Sequence, residues 1–246
     1  VNLDEVIVSE SKIDIPFSKK YRSVEIIDSK SIFESGVNNV VDLLQQVSGI
    51  DIRRRGVPGT QADLYIRGGG FDQTLLLIDG MKMDDIQTGH HTLNLLLPIQ
   101  LIERIEIIKG PASRIFGQNA FNGAINIVTK SLPKLDKKQF EMLVSNPTFG
   151  SFKQFGFLIN SRLSLKEKFN AQLTFSRSKS DGYRYNTDYS NDFFFFKSEI
   201  KTQKNPIIIT SGFTEKKFGA NGFYASPSAT DQYEETQASF LGISTL

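Results

Sequence analysis

The chain has 246 residues, 39% of them hydrophobic and 23% charged, and its 29 basic and 27 acidic side chains give a formal net charge of +2. This balance excludes a disordered chain and a general nucleic-acid binder. Because the chain has no cysteine and two histidines, a disulfide scaffold and a cysteine nucleophile are excluded, and a zinc or haem enzyme is disfavoured. The 20 Phe, 7 Tyr and 19 Gly favour strands and tight turns.

The first half of the chain has the pattern of a mixed α/β globule. Apolar runs at Leu75–Ile78 and Ile105–Ile108 are typical of buried strands. Between Ser31 and Val47 the apolar residues recur at helical spacing, and Ser48-Gly49 supplies a stop, which predicts one helix. Asp79-Gly80 predicts a tight turn, because glycine tolerates the positive φ that such a corner needs.

From Ser131 onward, apolar and polar residues alternate with period two. In Phe169–Arg177 the odd-numbered residues from 169 to 175 are apolar and the even-numbered residues are polar. One strand face is therefore apolar and the other polar. The same pattern predicts further strands near 139–145, 154–160, 192–201, 207–214 and 237–246. Short connections (165–168, 202–206) alternate with long ones (180–190, 216–236), which is the layout of an outer-membrane barrel. The alternative is a soluble antiparallel sheet with one buried face.

Several ordered segments of the first half are distinctive. Leu3–Val8 (LDEVIV) is a β-prone stretch near a terminus. It is followed by Val41–Leu44 with Val47–Ile50, by LYIRG at 64–68, LLLIDG at 75–80, IERIEIIKGPAS at 102–113 and FGQNAFNGAINIVTK at 116–130. In this order they resemble the plug domain of TonB-dependent outer-membrane receptors. The remainder resembles the first strands of their barrel, and the cobalamin-transporter-like branch is closest in look.

The resemblance implies an α+β plug domain followed by antiparallel β-strands of an incomplete transmembrane β-barrel of about 22 strands. We expect a TonB box and N-terminal segment over residues 1–12, the plug over 13–132, and the first barrel strands, about six of them, over 139–246. Since the other strands and the family's terminal aromatic residue are missing, we expect an N-terminal fragment of a receptor, or the product of a split gene, that does not transport by itself.

The resemblance also implies a function: energised uptake of a scarce ligand, cobalamin or a ferric siderophore, across the outer membrane of a Gram-negative bacterium, with the plug facing the periplasm. The implied partners are TonB with its inner-membrane energising complex, outer-membrane lipid and a small-molecule ligand such as a corrinoid or ferric chelate, with no nucleic acid. No catalytic residue, cofactor or metal is implied, so the chain is expected not to be an enzyme. The alternatives are an oligosaccharide or peptide importer of the same superfamily, and a soluble α/β enzyme with a β appendage.

The segment predicted to bind TonB comprises Leu3, Asp4, Glu5, Val6, Ile7 and Val8. A β-prone stretch near a free terminus is able to add as a strand to another protein's sheet edge through main-chain hydrogen bonds. The alternative is an ordinary first strand.

The residues predicted to contact the ligand lie, by resemblance, on loops at one end of the molecule. Arginine forks grip carboxylates or phosphates, although a solvated basic loop is the alternative. Adjacent histidines are poorly placed to share one metal, since neighbouring positions on a strand point to opposite sides. The candidates are Arg54, Arg55 and Gln61 in loop 53–63, Gln87, Thr88, His90 and His91 in loop 84–96, and Tyr183, Tyr185, Phe223 and Tyr224 on the long connections.

The residues predicted to contact the barrel wall are charged side chains of the plug. A plug inside a barrel meets a polar wall, so its buried charges need partners. The candidates are Arg67, Glu103, Arg104, Glu106 and Arg114. For Glu103, Arg104 and Glu106, the alternative is a solvated charge pattern that flanks a strand.

Overall fold

A computed structural model of the protein describes residues 7–8, 15–16, 24–54, 56, 60–83, 85, 88–95, 97–132, 138–146, 148–149, 152–165, 168–224 and 226–245. The chain forms two compact units, residues 1–53 with 62–130 and residues 54–61 with 131–246. Within the described ranges, no helix combines the length and the apolar character needed to cross a membrane.

The first unit is built on a mixed sheet. Its strands are β1 (Ile7–Val8), β2 (Ile15–Pro16), β3 (Val24–Asp28), β4 (Ile50–Arg54), β5 (Ala62–Ile66), β6 (Thr74–Ile78), β7 (Met81–Lys82), β8 (Ile102–Lys109) and β9 (Gly123–Thr129). Five of them form a sheet in the order β3-β8-β9-β6-β7, in which β6 and β9 are parallel and the other neighbours antiparallel. Leu75–Ile78 and Ile105–Ile108 are buried in this sheet, which confirms both predicted strands.

Two short helices replace the single helix predicted between Ser31 and Val47. They are α1 (Ser29–Glu34) and α2 (Val40–Gln45), and a third, α3, spans Ser113–Phe116. The prediction was wrong because Gly36 adopts φ +68° and ends the first helix. Asn39 then caps the second, where its side chain accepts a hydrogen bond from the Asp42 N–H at 2.9 Å.

The turn at Asp79-Gly80 joins β6 to β7, as predicted. Both residues have positive φ, 49° and 78°. The Asp79 carboxylate accepts hydrogen bonds from the backbone N–H and the hydroxyl of Thr129, at 2.8 and 2.7 Å. The turn is therefore fixed to the end of β9.

The second unit contains six long strands in a simple meander. They are β10 (Lys138–Ser145), β12 (Phe152–Leu165), β13 (Phe169–Ser180), β14 (Tyr189–Ile200), β15 (Ile207–Gly219) and β16 (Tyr233–Thr245), with a short β11 (Thr148–Phe149) paired to β12. Every pairing is antiparallel, and in the described residues the sheet is open, with β10 and β16 at its edges. The predicted fold class, a plug followed by antiparallel strands, is confirmed.

The two faces of this sheet have an unusual burial. On β13 the polar side chains of Gln172 and Thr174 are 1% and 0% exposed, whereas Leu173 and Phe175 between them are 46% and 38% exposed. We call the two sides of the sheet the polar face and the apolar face. A soluble sheet covers its apolar face, so the reverse arrangement favours strands whose apolar face meets lipid.

Candidate functional site

Two long connections of the second unit, residues 181–188 and 220–232, are joined by hydrogen bonds. The side-chain amide of Asn186 donates to the backbone carbonyls of Thr230 and Gln232, at 2.8 and 2.6 Å. The side-chain amide of Asn221 donates to the Tyr185 carbonyl at 2.6 Å. These bonds run in both directions, so the two connections form one structure, which we call the loop pair.

The loop pair carries the predicted aromatic ligand contacts. Tyr183, Tyr185 and Tyr224 are exposed, and Phe223 is half-buried. The Arg184 guanidinium lies 5.5 Å from the ring centres of both Tyr183 and Phe223. Its Nη2 donates to the Asn221 carbonyl at 2.9 Å, so this arginine holds the loops together.

A second anchor of the loop pair is the phenol of Tyr185, which donates to Asp231 Oδ1 at 2.9 Å. This hydrogen bond and the negative charge of Asp231 raise the pKa of Tyr185 above its usual value. Tyr185 therefore stays a neutral donor at physiological pH, while most of its ring remains exposed.

Residues 54–61, which include three predicted ligand contacts, belong to the second unit. A Cβ added to Gly56 would lie 2.4 Å from Cε2 of Phe223, so the Phe223 ring packs against bare backbone. Arg54 is half-buried and Gln61 is buried, at 4% exposed. Arg55 lies outside the described residues, and so does Gln87 of the next loop.

The histidines of loop 84–96 lie on a 3₁₀ helix, Gly89–Leu95, and not on a strand. His90 Nδ1 lies 2.8 Å from Asp63 Oδ1, and the ring stacks on Phe71 with 4.0 Å between centres. His91 Nδ1 lies 4.0 Å from Asp85 Oδ2. The two rings thus have different partners, and among the described residues no group of three or more His, Cys, Asp or Glu is placed to hold a metal ion.

Thr88 makes two hydrogen bonds in the turn that precedes the 3₁₀ helix. Its N–H donates to Asp85 Oδ1 at 3.1 Å, and its hydroxyl accepts from the His90 N–H at 3.3 Å. Both bonds shape the turn that leads into the 3₁₀ helix, so Thr88 and His90 are structural elements of the plug whatever else they contact.

Three of the charged plug residues form a network inside the first unit. Arg104 Nε and Nη2 lie 2.9 and 2.8 Å from Glu106 Oε1, and Arg104 Nη1 lies 3.7 Å from Glu103 Oε1. The Asn126 amide donates to Glu106 Oε2 at 2.9 Å. Glu106 is 2% exposed, so the solvated alternative is wrong for this residue.

The remaining charged candidates of the plug are Arg67 and Arg114. Arg67 is exposed and adopts φ 49° at the end of β5, where its N–H donates to the Gly49 carbonyl at 2.8 Å. Arg114 lies in α3. Their predicted contacts with a barrel wall stay predictions.

Part of the predicted TonB-binding segment lies in β1. Ile7 and Val8 pair antiparallel with Pro16 and Ile15. Leu3, Asp4, Glu5 and Val6 lie outside the described residues. The observed backbone of Ile7 and Val8 is extended, which is the conformation that strand addition requires.

The sequence did not single out Asn186, Asn221 and Asp231, which organise the loop pair. Their partners lie 36 to 46 residues away in the chain. One local signal was available at Asn186, which adopts φ 50°, because asparagine tolerates this conformation better than most residues.

Comparison with known proteins places these features in a family. A family model described as the TonB-dependent receptor plug domain matches residues 18–124. The vitamin B12 transporter BtuB of Vibrio vulnificus is 28% identical over 183 residues, which cover 74% of this chain and 29% of that protein. BtuB of Vibrio cholerae is 27% identical over 180 residues, 73% of this chain and 28% of that protein. The chain thus spans less than a third of the length of these curated relatives.

Solved structures share the fold at low sequence identity. The alcaligin outer-membrane receptor FauA of Bordetella pertussis superposes with a TM-score of 0.72 at 13% identity, covering 96% of this chain and 37% of that chain. The ferripyoverdine receptor of the outer membrane of Pseudomonas aeruginosa gives 0.68 at 12% identity, covering 86% and 28%. The chain therefore carries a plug domain of the TonB-dependent receptor family, followed by antiparallel strands that share the fold of those receptors.

Proposed function

We propose that the protein is the plug and first barrel strands of a receptor that imports a scarce ligand, cobalamin or a ferric siderophore, across the outer membrane of a Gram-negative bacterium. The observation that carries the proposal is a plug domain followed by strands whose apolar face is exposed. That face suits outer-membrane lipid as its surroundings.

The proposed identity of the ligand is based on the relatives. The curated relatives are vitamin B12 transporters, and the solved structures include receptors for alcaligin and ferripyoverdine. The exposed tyrosines of the loop pair offer flat, hydrogen-bonding surfaces to such a ligand. In this proposal the aromatic residues bind the ligand, Arg54 and Arg55 add positive charge, and no residue has a catalytic role.

Energy for import would come from TonB and its inner-membrane complex. TonB would add to the Leu3–Val8 segment as a strand, gripping main-chain N–H and C=O groups. The charged plug residues, with Arg67 and Arg114 among them, would hold the plug against the wall until TonB pulls.

Uptake in cells tests the proposal. The complete receptor gene that contains these residues is expressed in a bacterium that lacks its own B12 receptor, and accumulation of radiolabelled cyanocobalamin and of ferric siderophores is measured with and without TonB. We expect TonB-dependent uptake of one of them. Val6→Pro, which removes a main-chain donor, should abolish uptake, whereas Val6→Ala should preserve it. Uptake of maltodextrins or peptides alone would contradict the ligand class.

A further inference from the structure

Two lysines flank a serine on the apolar face of the sheet, at the rim that carries the long connections. Lys179 lies directly opposite Ser190 in the register of β13 and β14, and Ser190 lies directly opposite Lys217 in the register of β14 and β15. Neighbouring strands are about 4.8 Å apart, and the four-carbon stem of lysine spans that distance. Both ammonium groups are therefore within reach of the space above the serine hydroxyl. We call these three residues the rim site.

The side chains of the rim site are accessible. Lys179 is exposed, and Ser190 and Lys217 are half-buried. In the described part of the chain Lys179 forms no ion pair. The Lys217 ammonium lies 3.5 Å from Glu215 and 3.9 Å from Glu235, which are both longer than a charged hydrogen bond. The rim site thus retains donors that no carboxylate of the described residues saturates.

The charges one row closer to the middle of the apolar face are arranged differently. Arg177, two residues before Lys179, donates to both carboxylate oxygens of Asp192, at 2.6 and 2.5 Å. This bidentate pair is neutralised within the protein, as a charge near hydrocarbon requires. Positive charge that awaits an external partner therefore belongs to the rim site and not to the row below it.

The height of the rim site matches that of lipid head groups. The opposite end of the apolar face is the row formed by Phe169, Ile200 and Ile207. Lys179 lies ten residues further along β13 than Phe169. Ten residues of strand rise about 33 Å, which for a strand tilted by about 40° is a height of about 25 Å. This is the height of the apolar band of an outer-membrane barrel, so the rim site lies where that band ends.

A track of exposed phenylalanines begins beside the rim site and runs down the apolar face. Phe155 lies directly opposite Lys179 on β12. Its ring centre lies 6.2 Å from that of Phe157, which lies 5.7 Å from that of Phe175. Phe155 and Phe175 are 46% and 38% exposed. An occupant with both a phosphate and a hydrocarbon chain contacts the lysines and the track together, whereas free phosphate contacts the lysines alone.

We propose that the rim site binds the phosphate monoester of a glycolipid in the outer leaflet, with an acyl chain of that lipid along the phenylalanine track. The inference rests on the proposed function, because it needs the apolar face to lie in the outer membrane. A phosphate monoester carries a charge of about −1.5 to −2 at neutral pH and three acceptor oxygens. Lys179 and Lys217 supply the opposite charge, and the Ser190 hydroxyl donates to the third oxygen.

Native mass spectrometry of the complete receptor in a non-ionic detergent tests the site. The receptor is titrated with lipid A that carries two phosphates and, separately, with the same lipid A without phosphate. We expect the phosphorylated lipid to bind about 25-fold more tightly, because each lysine near a membrane surface strengthens the binding of an anionic lipid about fivefold. A large excess of inorganic phosphate should not displace the lipid, since free phosphate gains nothing from the phenylalanine track.

Substitutions locate the binding on the barrel. Lys179→Gln and Lys217→Gln should each weaken binding of phosphorylated lipid A about fivefold. Lys179→Arg keeps the charge and should bind as the unmodified receptor does. Lys204→Gln removes the same charge from an exposed lysine in the short connection at the opposite rim, and it is the matched control that should leave binding unchanged.

Three results would overturn the proposal. Equal binding of the two forms of lipid A would mean that only the acyl chains are recognised. Displacement by inorganic phosphate would mean that the site takes free phosphate, and equal affinity of Lys179→Gln and Lys204→Gln would place the lipid elsewhere. The measurement needs neither TonB nor the imported ligand. A failed uptake experiment therefore leaves its result readable, and a receptor that imports its ligand but fails these tests overturns this inference alone.

Discussion

The side-chain amide of Asn221 donates to the backbone carbonyl of Tyr185 across the two long connections, at 2.6 Å. Asn221 holds the same stretch of backbone a second time, because its N–H donates to the Asn186 carbonyl at 3.2 Å. A loop fixed in this way loses little conformational freedom when a ligand binds, so more of the contact energy appears as affinity. The loop pair is therefore a preformed surface.

Replacing Asn221 should loosen that surface. Asn221→Ala removes the bond to Tyr185, and we expect backbone amides of 181–188 to exchange with solvent about tenfold faster, as expected for loss of about 1.4 kcal/mol of local stability. Hydrogen exchange followed by mass spectrometry measures this. Asn205→Ala, at an exposed turn on the opposite rim, is the control and should leave exchange in 181–188 unchanged. Equal protection in both variants would contradict the role of Asn221.

The buried carboxylate of Glu106 should matter more to the plug than the neighbouring Glu103. Glu106 accepts from Arg104 and Asn126, whereas Glu103 is 43% exposed and its oxygen lies 3.7 Å from Arg104. Glu106→Gln should lower the free energy of unfolding by about 2 kcal/mol, because a buried charge-assisted bond is weakened. Glu103→Gln should change it by about 0.5 kcal/mol or less. Chemical denaturation measures both, and similar losses would contradict the network.

An arginine substituted at an exposed apolar position tests whether that position faces lipid or water. Leu173 on β13 and Phe33 on α1 are both exposed, at 46% and 88%. In a bilayer, Leu173→Arg should cost about 2–4 kcal/mol of unfolding free energy. Phe33→Arg, on the plug, should change it by about 0.5 kcal/mol or less. The measurement is unfolding of the receptor in lipid vesicles, and a negligible cost at Leu173 would count against membrane burial of the apolar face.

Local patterns were sufficient for the strands. The alternation in Phe169–Arg177 predicts a strand, because side chains on a pleated strand point alternately to two faces, and β13 includes all of it. Asp79-Gly80 predicts a turn for an equally local reason. The family resemblance added what alternation leaves open, namely that the apolar face is the exposed one.

Contacts between residues far apart in the chain could not be predicted from the sequence. Spacing alone cannot pair His90 with Asp63, 27 residues earlier, or Asn186 with Thr230, 44 residues later. The helix predicted between Ser31 and Val47 failed because apolar spacing continues across Gly36, where the backbone leaves the helical conformation. Apolar periodicity indicates which face of a helix is buried. It does not indicate where one helix ends and the next begins when both bury the same face.

The cap of α1 gives the plug a pH dependence. Asp28 accepts a hydrogen bond from the Ser31 N–H at 2.8 Å, and this bond lowers the pKa of Asp28 below the ordinary value of 3.8. A lowered pKa in the folded state means that the carboxylate stabilises the fold at pH values above 3.8, and that this contribution is lost as the pH falls through the folded-state pKa.

Asp28→Asn and Asp28→Ala separate the cap from its charge. Asparagine caps a helix about as well as aspartate, whereas alanine at this position costs about 1 kcal/mol. At neutral pH we therefore expect Asp28→Asn to unfold near the wild-type denaturant concentration and Asp28→Ala to unfold earlier. Between neutral pH and pH 3, the wild type should lose more unfolding free energy than Asp28→Asn, since the amide does not titrate. Urea titrations monitored by circular dichroism at each pH measure this loss. If the wild type and Asp28→Asn lose the same unfolding free energy, the Asp28 carboxylate does not contribute to acid sensitivity.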